Sequence, residues 1–119
     1  MVVFCFFLLF VSLGLAEQKP VWPSLAVPEA GLKDTKSAAL IVSISNYFVL
    51  PDIEGANRNA SDWQKYLLRV QGVPVQQLRW LQDNEASREK ILAAADELKE
   101  TVGKDGKLWI VFIGHGLFW

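Results

Sequence analysis

Leu108-Trp109-Ile110-Val111-Phe112-Ile113-Gly114-His115-Gly116 runs six apolar residues straight into a histidine held between two glycines. An unbroken apolar run of this length has the pattern of a strand buried on both faces. Ala38-Ala39-Leu40-Ile41-Val42-Ser43-Ile44 has the same texture. Residues 77–82 read as a further strand, with Leu78 and Trp80 on one face and Arg79 and Leu81 on the other. Two helical patterns separate the three. In residues 55–70, Ala56, Ala60, Trp63, Leu67 and Val70 recur at helical spacing, while Arg58, Asp62, Lys65 and Arg69 face elsewhere. Gly72 fits a C-terminal cap there, and Pro74 prevents continuation. In the second helix Ser87 is a suitable N-cap, Ile91, Ala95, Leu98 and Val102 form the stripe, and Gly103 ends it. Strand, helix, strand, helix, strand argues an α/β fold: three αβα layers around a parallel sheet with right-handed crossovers. Functional residues in such sheets lie just past the C-terminal ends of the strands. His115 is placed there.

The remainder of the chain bounds the possibilities. Its 119 residues carry 12 Lys and Arg against 13 Asp and Glu, a formal net charge of −1. That balance excludes a strongly basic nucleic-acid binder and gives no attraction to an anionic membrane. The apolar share, 51%, is too high for a disordered chain. It is concentrated at the start: in residues 1–16 only Ser12 and Gly14 fall outside the hydrophobic set, and none is charged. This segment reads as a secretory signal peptide cut between Ala16 and Glu17, which implies an exported protein. It is shorter than the ~20 apolar residues of a spanning helix, so no membrane association is expected after cleavage. Residues 17–37, interrupted by Pro20, Pro23 and Pro28, read as a linker, and residues 38–119 as the domain. Cys5, the single cysteine, lies inside the signal segment. The mature chain is therefore expected to hold no disulfide and no thiol.

Few side chains can carry chemistry. His115 is the single histidine, and an imidazole can serve as general base and acid near neutral pH. Its glycine neighbours let the backbone turn sharply and let a substrate approach closely. Asp52 and Glu54 share the loop after the first strand, on the same edge, where they can shape a pocket. No second histidine and no carboxylate pair at ligand spacing accompanies His115, so neither a metal nor another cofactor is expected. The sequence has no phosphate-binding glycine loop and no G-x-S-x-G elbow. Its five tryptophans fall mostly at core-facing positions, which argues against a sugar-stacking row.

Four segments between Ala38 and Gly116 together resemble the caspase-like clan of cysteine peptidases, in its bacterial caspase-domain and metacaspase branch. Residues 38–47, ending Ser45-Asn46-Tyr47, are similar to that family's first strand and tyrosine loop. Leu50-Pro51-Asp52-Ile53-Glu54-Gly55-Ala56 resembles the approach to its first helix, although Arg58-Asn59-Ala60 stands where Asn-Asp-Ala is frequent. Gly72-Val73-Pro74, residues 78–83 and Ala86-Ser87-Arg88-Glu89-Lys90-Ile91 resemble its second strand and second helix. Trp109 to Gly116 is similar to the strand that ends in the catalytic Gly-His-Gly.

The resemblance implies a flavodoxin-like wind and a cysteine-type endopeptidase acting on peptide or protein substrates. His115 would be the catalytic histidine, and the backbone N–H of Gly116 would help form the oxyanion hole. No arginine follows the first strand, so the aspartate-selecting pocket of animal caspases is not implied. Asp52 or Glu54 would instead offer an acidic pocket for a basic substrate side chain. The family's nucleophile lies about 50 residues beyond the histidine, past Trp119. The chain is thus expected to be the N-terminal part of an incomplete domain, inactive without the remainder of that domain. Two alternatives share the same residues. One is an α/β-hydrolase fragment that uses His115-Gly116 as its oxyanion loop, and the other a non-catalytic interaction module of caspase-like fold.

Overall fold

The computed structural model of the chain describes residues 33–34 and 36–116. The expected signal peptide, with Cys5, lies outside the described residues, as do nearly all of the expected linker and the terminal Leu117-Phe118-Trp119. The described elements are β1 (Ala38–Ser43), α1 (Ala56–Arg69), β2 (Leu78–Gln82), α2 (Arg88–Thr101) and β3 (Leu108–Ile113). Short 3-10 turns, Val75–Gln77 and Asp83–Glu85, bracket β2. The strands form one parallel sheet in the order β2-β1-β3. This is the α/β architecture the sequence pattern predicts.

All six residues of β1 are buried because both its edges and both its faces are covered. Ala39 and Ile41 point to one side, where they pack with Ala60 and Leu67 of α1 and with Val73 and Leu78. Ala38, Leu40 and Val42 point to the other, against Ala94 and Leu98 of α2. Strand residues alternate in direction, so the two helices occupy opposite faces and give the three layers.

β3 departs from its own pattern. Its apolar run predicts burial on both faces, yet Ile110 and Phe112 are 62% and 55% exposed. The reason is position. Among the described residues β3 is an edge strand, and α2 packs chiefly on β1 and β2, reaching Leu108 of β3 but leaving Ile110 and Phe112 open.

The helix ends follow local chemistry. Ser87 Oγ accepts a hydrogen bond from the Lys90 amide at 3.3 Å and caps α2. Past the end of α1, Gly72 takes φ 70°, a left-handed value that glycine adopts without steric cost, and Val73 N returns to Leu67 O at 3.0 Å. Two positions differ from expectation. In α2 the fully packed alanine is Ala94, and Ala95 sits at the rim of the same cluster. In α1 Asp62 turns inward to 8% exposure, with Lys65 Nζ 3.6 Å from its carboxylate.

The N-terminal edge of the sheet is tied by Asp34 and Ser37. Asp34 Oδ1 accepts from the Lys36 and Ser37 amides at 3.0 and 3.1 Å, and its other oxygen accepts from Ser37 Oγ. Ser37 Oγ in turn accepts from Lys107 N at 2.9 Å, joining the start of β1 to the start of β3. The Ser37 hydroxyl bond, followed by the amide bonds, holds the Asp34 carboxyl below the usual aspartate range.

Candidate active site

The register of the sheet aligns Ser43 with Gln82 on one side and with Ile113 on the other. The residues that follow, Ile44-Ser45, Asp83 and Gly114-His115, therefore emerge side by side at the C-terminal edge. Ile44 N continues the ladder to Ile113 O at 2.9 Å.

His115 is gripped from three directions by the loop after β1. Its backbone N–H donates to Tyr47 Oη at 2.6 Å. Its ring lies against the Tyr47 ring with centroids 4.6 Å apart, tilted by 59°. Its Nε2 lies 2.8 Å from the carbonyl oxygen of Pro51. A carbonyl only accepts, so Nε2 is the protonated nitrogen of the neutral ring and Nδ1 carries the free lone pair. The bond to Pro51 O and the contact with the Tyr47 ring together set the tautomer of the neutral ring and its plane.

The two glycines around it do different work. Neither takes a positive φ, so neither is needed for a left-handed backbone. At Gly114 the requirement is close approach: a Cβ there would lie 2.7 Å from Tyr47 Oη and 3.1 Å from the Phe112 ring. At Gly116 a Cβ would meet nothing within 4 Å. Gly114→Ala is expected to displace Tyr47 from His115 and to cost about 1–3 kcal/mol of stability by overpacking. Gly116→Ala is expected to melt within about 0.5 kcal/mol of the parent. Thermal unfolding of the two variants side by side checks the contrast, and equal melting would remove the close-approach argument.

Beside His115 a cleft of about 570 Å³ opens between the start of α1 and the end of β3. Its walls are mainly apolar, from Ile53, Trp63, Val111 and Ile113, with Glu54, Asn59 and His115 as its charged and polar members. The two acidic residues read from the sequence separate here. Glu54 lines the cleft. Asp52 uses its carboxylate to accept from Tyr47 N at 2.8 Å, bracing the loop that grips His115. Gly116 follows His115 in the chain and is exposed, on the solvent side of the same edge.

A polar network under this edge has no counterpart in the sequence reading. Trp80 Nε1 donates to Ser43 Oγ at 2.9 Å, and Ser43 Oγ donates to Asn57 Oδ1 at 2.8 Å. Asn57 Nδ2 donates to Asp83 Oδ2 at 3.3 Å. Asp83 Oδ1 accepts from the amides of Ser45 and Asn46 at 2.7 and 3.0 Å. Those two amides, Asn46 first, hold the Asp83 carboxyl below the usual aspartate range, with burial opposing them.

Asp34 and Asp83 thus share a direction, and its consequence has a definite sign. A carboxyl whose folded pKa is depressed stabilises the fold fully above its unfolded value of about 3.9. That contribution is lost as pH falls through the lower folded values. The stability of the chain is therefore expected to decline below about pH 4, and Asp34→Asn should flatten that decline. Denaturant midpoints taken between pH 2 and 6 would show it; an identical acid limb in parent and variant would contradict it.

Among the described residues no three His, Cys, Asp or Glu side chains converge to hold a metal ion, and no helix is long and apolar enough to cross a membrane. Comparison of the chain with protein-family models, with curated proteins and with solved structures returned no match.

Proposed function

We propose that this chain carries the histidine half of a caspase-like, cysteine-type endopeptidase site. The observation that carries the reading is the bond from His115 Nε2 to Pro51 O, which leaves Nδ1 as proton acceptor at the mouth of a cleft. Nδ1 would take the proton of a cysteine thiol, and the thiolate would attack the peptide carbonyl. The oxyanion so formed would accept from the exposed N–H of Gly116. The imidazolium, still bonded to Pro51 O, would return its proton to the leaving amine, giving a thioester that water hydrolyses with His115 again as base.

Residues 17–119 contain no cysteine to serve as nucleophile, so this stretch alone is expected to cleave no peptide. Glu54 lines the cleft and supports, by its charge and place, a basic side chain ahead of the scissile bond, while Asp52 accepts from Tyr47 N in the loop beside it. Fluorogenic peptides bearing Arg, Lys or Asp at that position test the reading on both the chain and the full product of its reading frame. Cleavage by the chain alone would overturn the split-site assignment. A full product that has neither a thiol-dependent activity nor a Cys-centred strand would leave the non-catalytic module in its place.

The same proposal places the activity outside the cytoplasm, through the apolar segment of residues 1–16. Mass spectrometry of the secreted protein is expected to find Glu17 as its first residue. Retention of Met1 on exported material would contradict the signal reading.

A further inference from the structure

We propose that Asp83 is the positioning residue of this site: it organises, from the end of β2, the loop that orients His115 on the far side of β1. The inference rests on the reading of His115 as the general base, and it concerns how that base is held. Asp83 follows β2 and His115 follows β3, the strands on opposite flanks of β1. Their link is the loop after β1. One end of it is fixed by Asp83 Oδ1, which accepts two successive amides, Ser45 and Asn46. The other end is fixed by Ser45 itself, whose carbonyl accepts from Ile53 N at 2.9 Å and whose Oγ donates to Ile53 O at 3.1 Å. Between those ends lie Tyr47 and Pro51, the two residues that grip His115.

Two features show that the carboxylate is aimed rather than incidental. Asp83 holds φ 42°, a left-handed value that is uncommon outside glycine and persists where the surroundings demand it. Its second oxygen is also occupied, by Asn57 Nδ2, and Asn57 is in turn held by the fully buried Ser43. The carboxylate is thereby fixed from α1 and β1 while it orders the loop. Charge-assisted bonds to backbone amides are the strong class of hydrogen bond, which suits a group that must hold a loop against solvent.

The test uses the 119-residue chain and reads His115 directly by NMR, through exchange of its amide proton and the cross-relaxation between the Tyr47 and His115 rings. Asp83→Gly keeps the left-handed backbone and removes the carboxylate. It is expected to speed exchange at Ser45, Asn46 and His115 by at least ten-fold and to abolish the ring contact, with the Ile41 amide still protected. Asp83→Asn and Asn57→Ala extend the series in case the glycine variant does not fold; in both, His115 is expected to loosen in step with Ser45 and Asn46. Asp34→Ala removes a comparable set of bonds at the opposite edge of the sheet and is expected to leave the Tyr47–His115 contact intact. Loosening at Ser45 and Asn46 with His115 unmoved would overturn the proposal, as would an unmoved His115 throughout the series. Because no step requires catalysis, a failed peptidase assay and a failed positioning role are separately visible.

Discussion

On the proposed peptidase reading, peptide hydrolysis by a product that also carries the nucleophile is expected to fall by ~10³-fold or more when His115 is replaced by alanine. The size follows from two losses at one atom. Without Nδ1 the thiol has no base to deprotonate it, and the departing amine has no acid to protonate it. His115→Gln is expected to fall as far, although its amide N–H is placed to reach the Pro51 carbonyl that Nε2 occupies in the parent. The pair therefore separates proton transfer from mere filling of the site. Values of kcat/KM on a fluorogenic peptide measure the loss, and the rate of thiol alkylation reports the thiolate independently. Turnover by either variant within a few-fold of the parent would remove His115 from the chemistry.

The second large effect concerns stability. Ile41→Ala is expected to lower the unfolding free energy by about 2–5 kcal/mol, the range for emptying a well-packed aliphatic site. Ile41 has no exposed surface and packs in the cluster of Ala60, Leu67, Val73 and Leu78. It also lies on the central strand, with Trp80 and Val111 as its register partners, so the site has little freedom to collapse. A domain of this length has roughly 5–15 kcal/mol in total, so the variant would lose a large share of its folded margin. Ile110→Ala deletes the same atoms from a side chain that is 62% exposed and should cost well under half as much. Urea titrations of the two variants decide the matter. Equal losses would mean that the exposed face of β3 is packed in solution.

The strands and helices were legible because each is written locally. Apolar runs marked β1 and β3, the alternation Leu78, Arg79, Trp80, Leu81 marked β2, and Ser87 and Gly72 marked helix ends. The parallel sense of the sheet followed from the strand–helix alternation, and with it the position of His115 past the C-terminal end of β3. The exposure of Ile110 and Phe112 was not legible, since an edge strand and a central strand can share one apolar pattern. Asp52 and Glu54 looked equivalent in sequence, two carboxylates in one loop. Only the fold reveals that Tyr47 N takes the first while the second reaches the cleft. Ser43, Asn57, Trp80 and Asp83 are ordinary polar or aromatic residues when read one at a time. Their meeting depends on parallel register, which brings positions tens of residues apart within hydrogen-bond reach.

The central place of β1 has a consequence for the order in which the chain can assemble. Its first partner, β2, lies about 40 residues later, and its second, β3, about 70 residues later, where Leu108 meets Ala38. At ribosomal speeds of roughly 5–20 residues per second, Leu40, Ile41 and Val42 are synthesised several seconds before the strand that closes their second edge. For that interval the central strand of the sheet is at best half-paired, a template open to any extended segment nearby. The position that makes β1 the most protected part of the finished protein makes it the most vulnerable part of the nascent one.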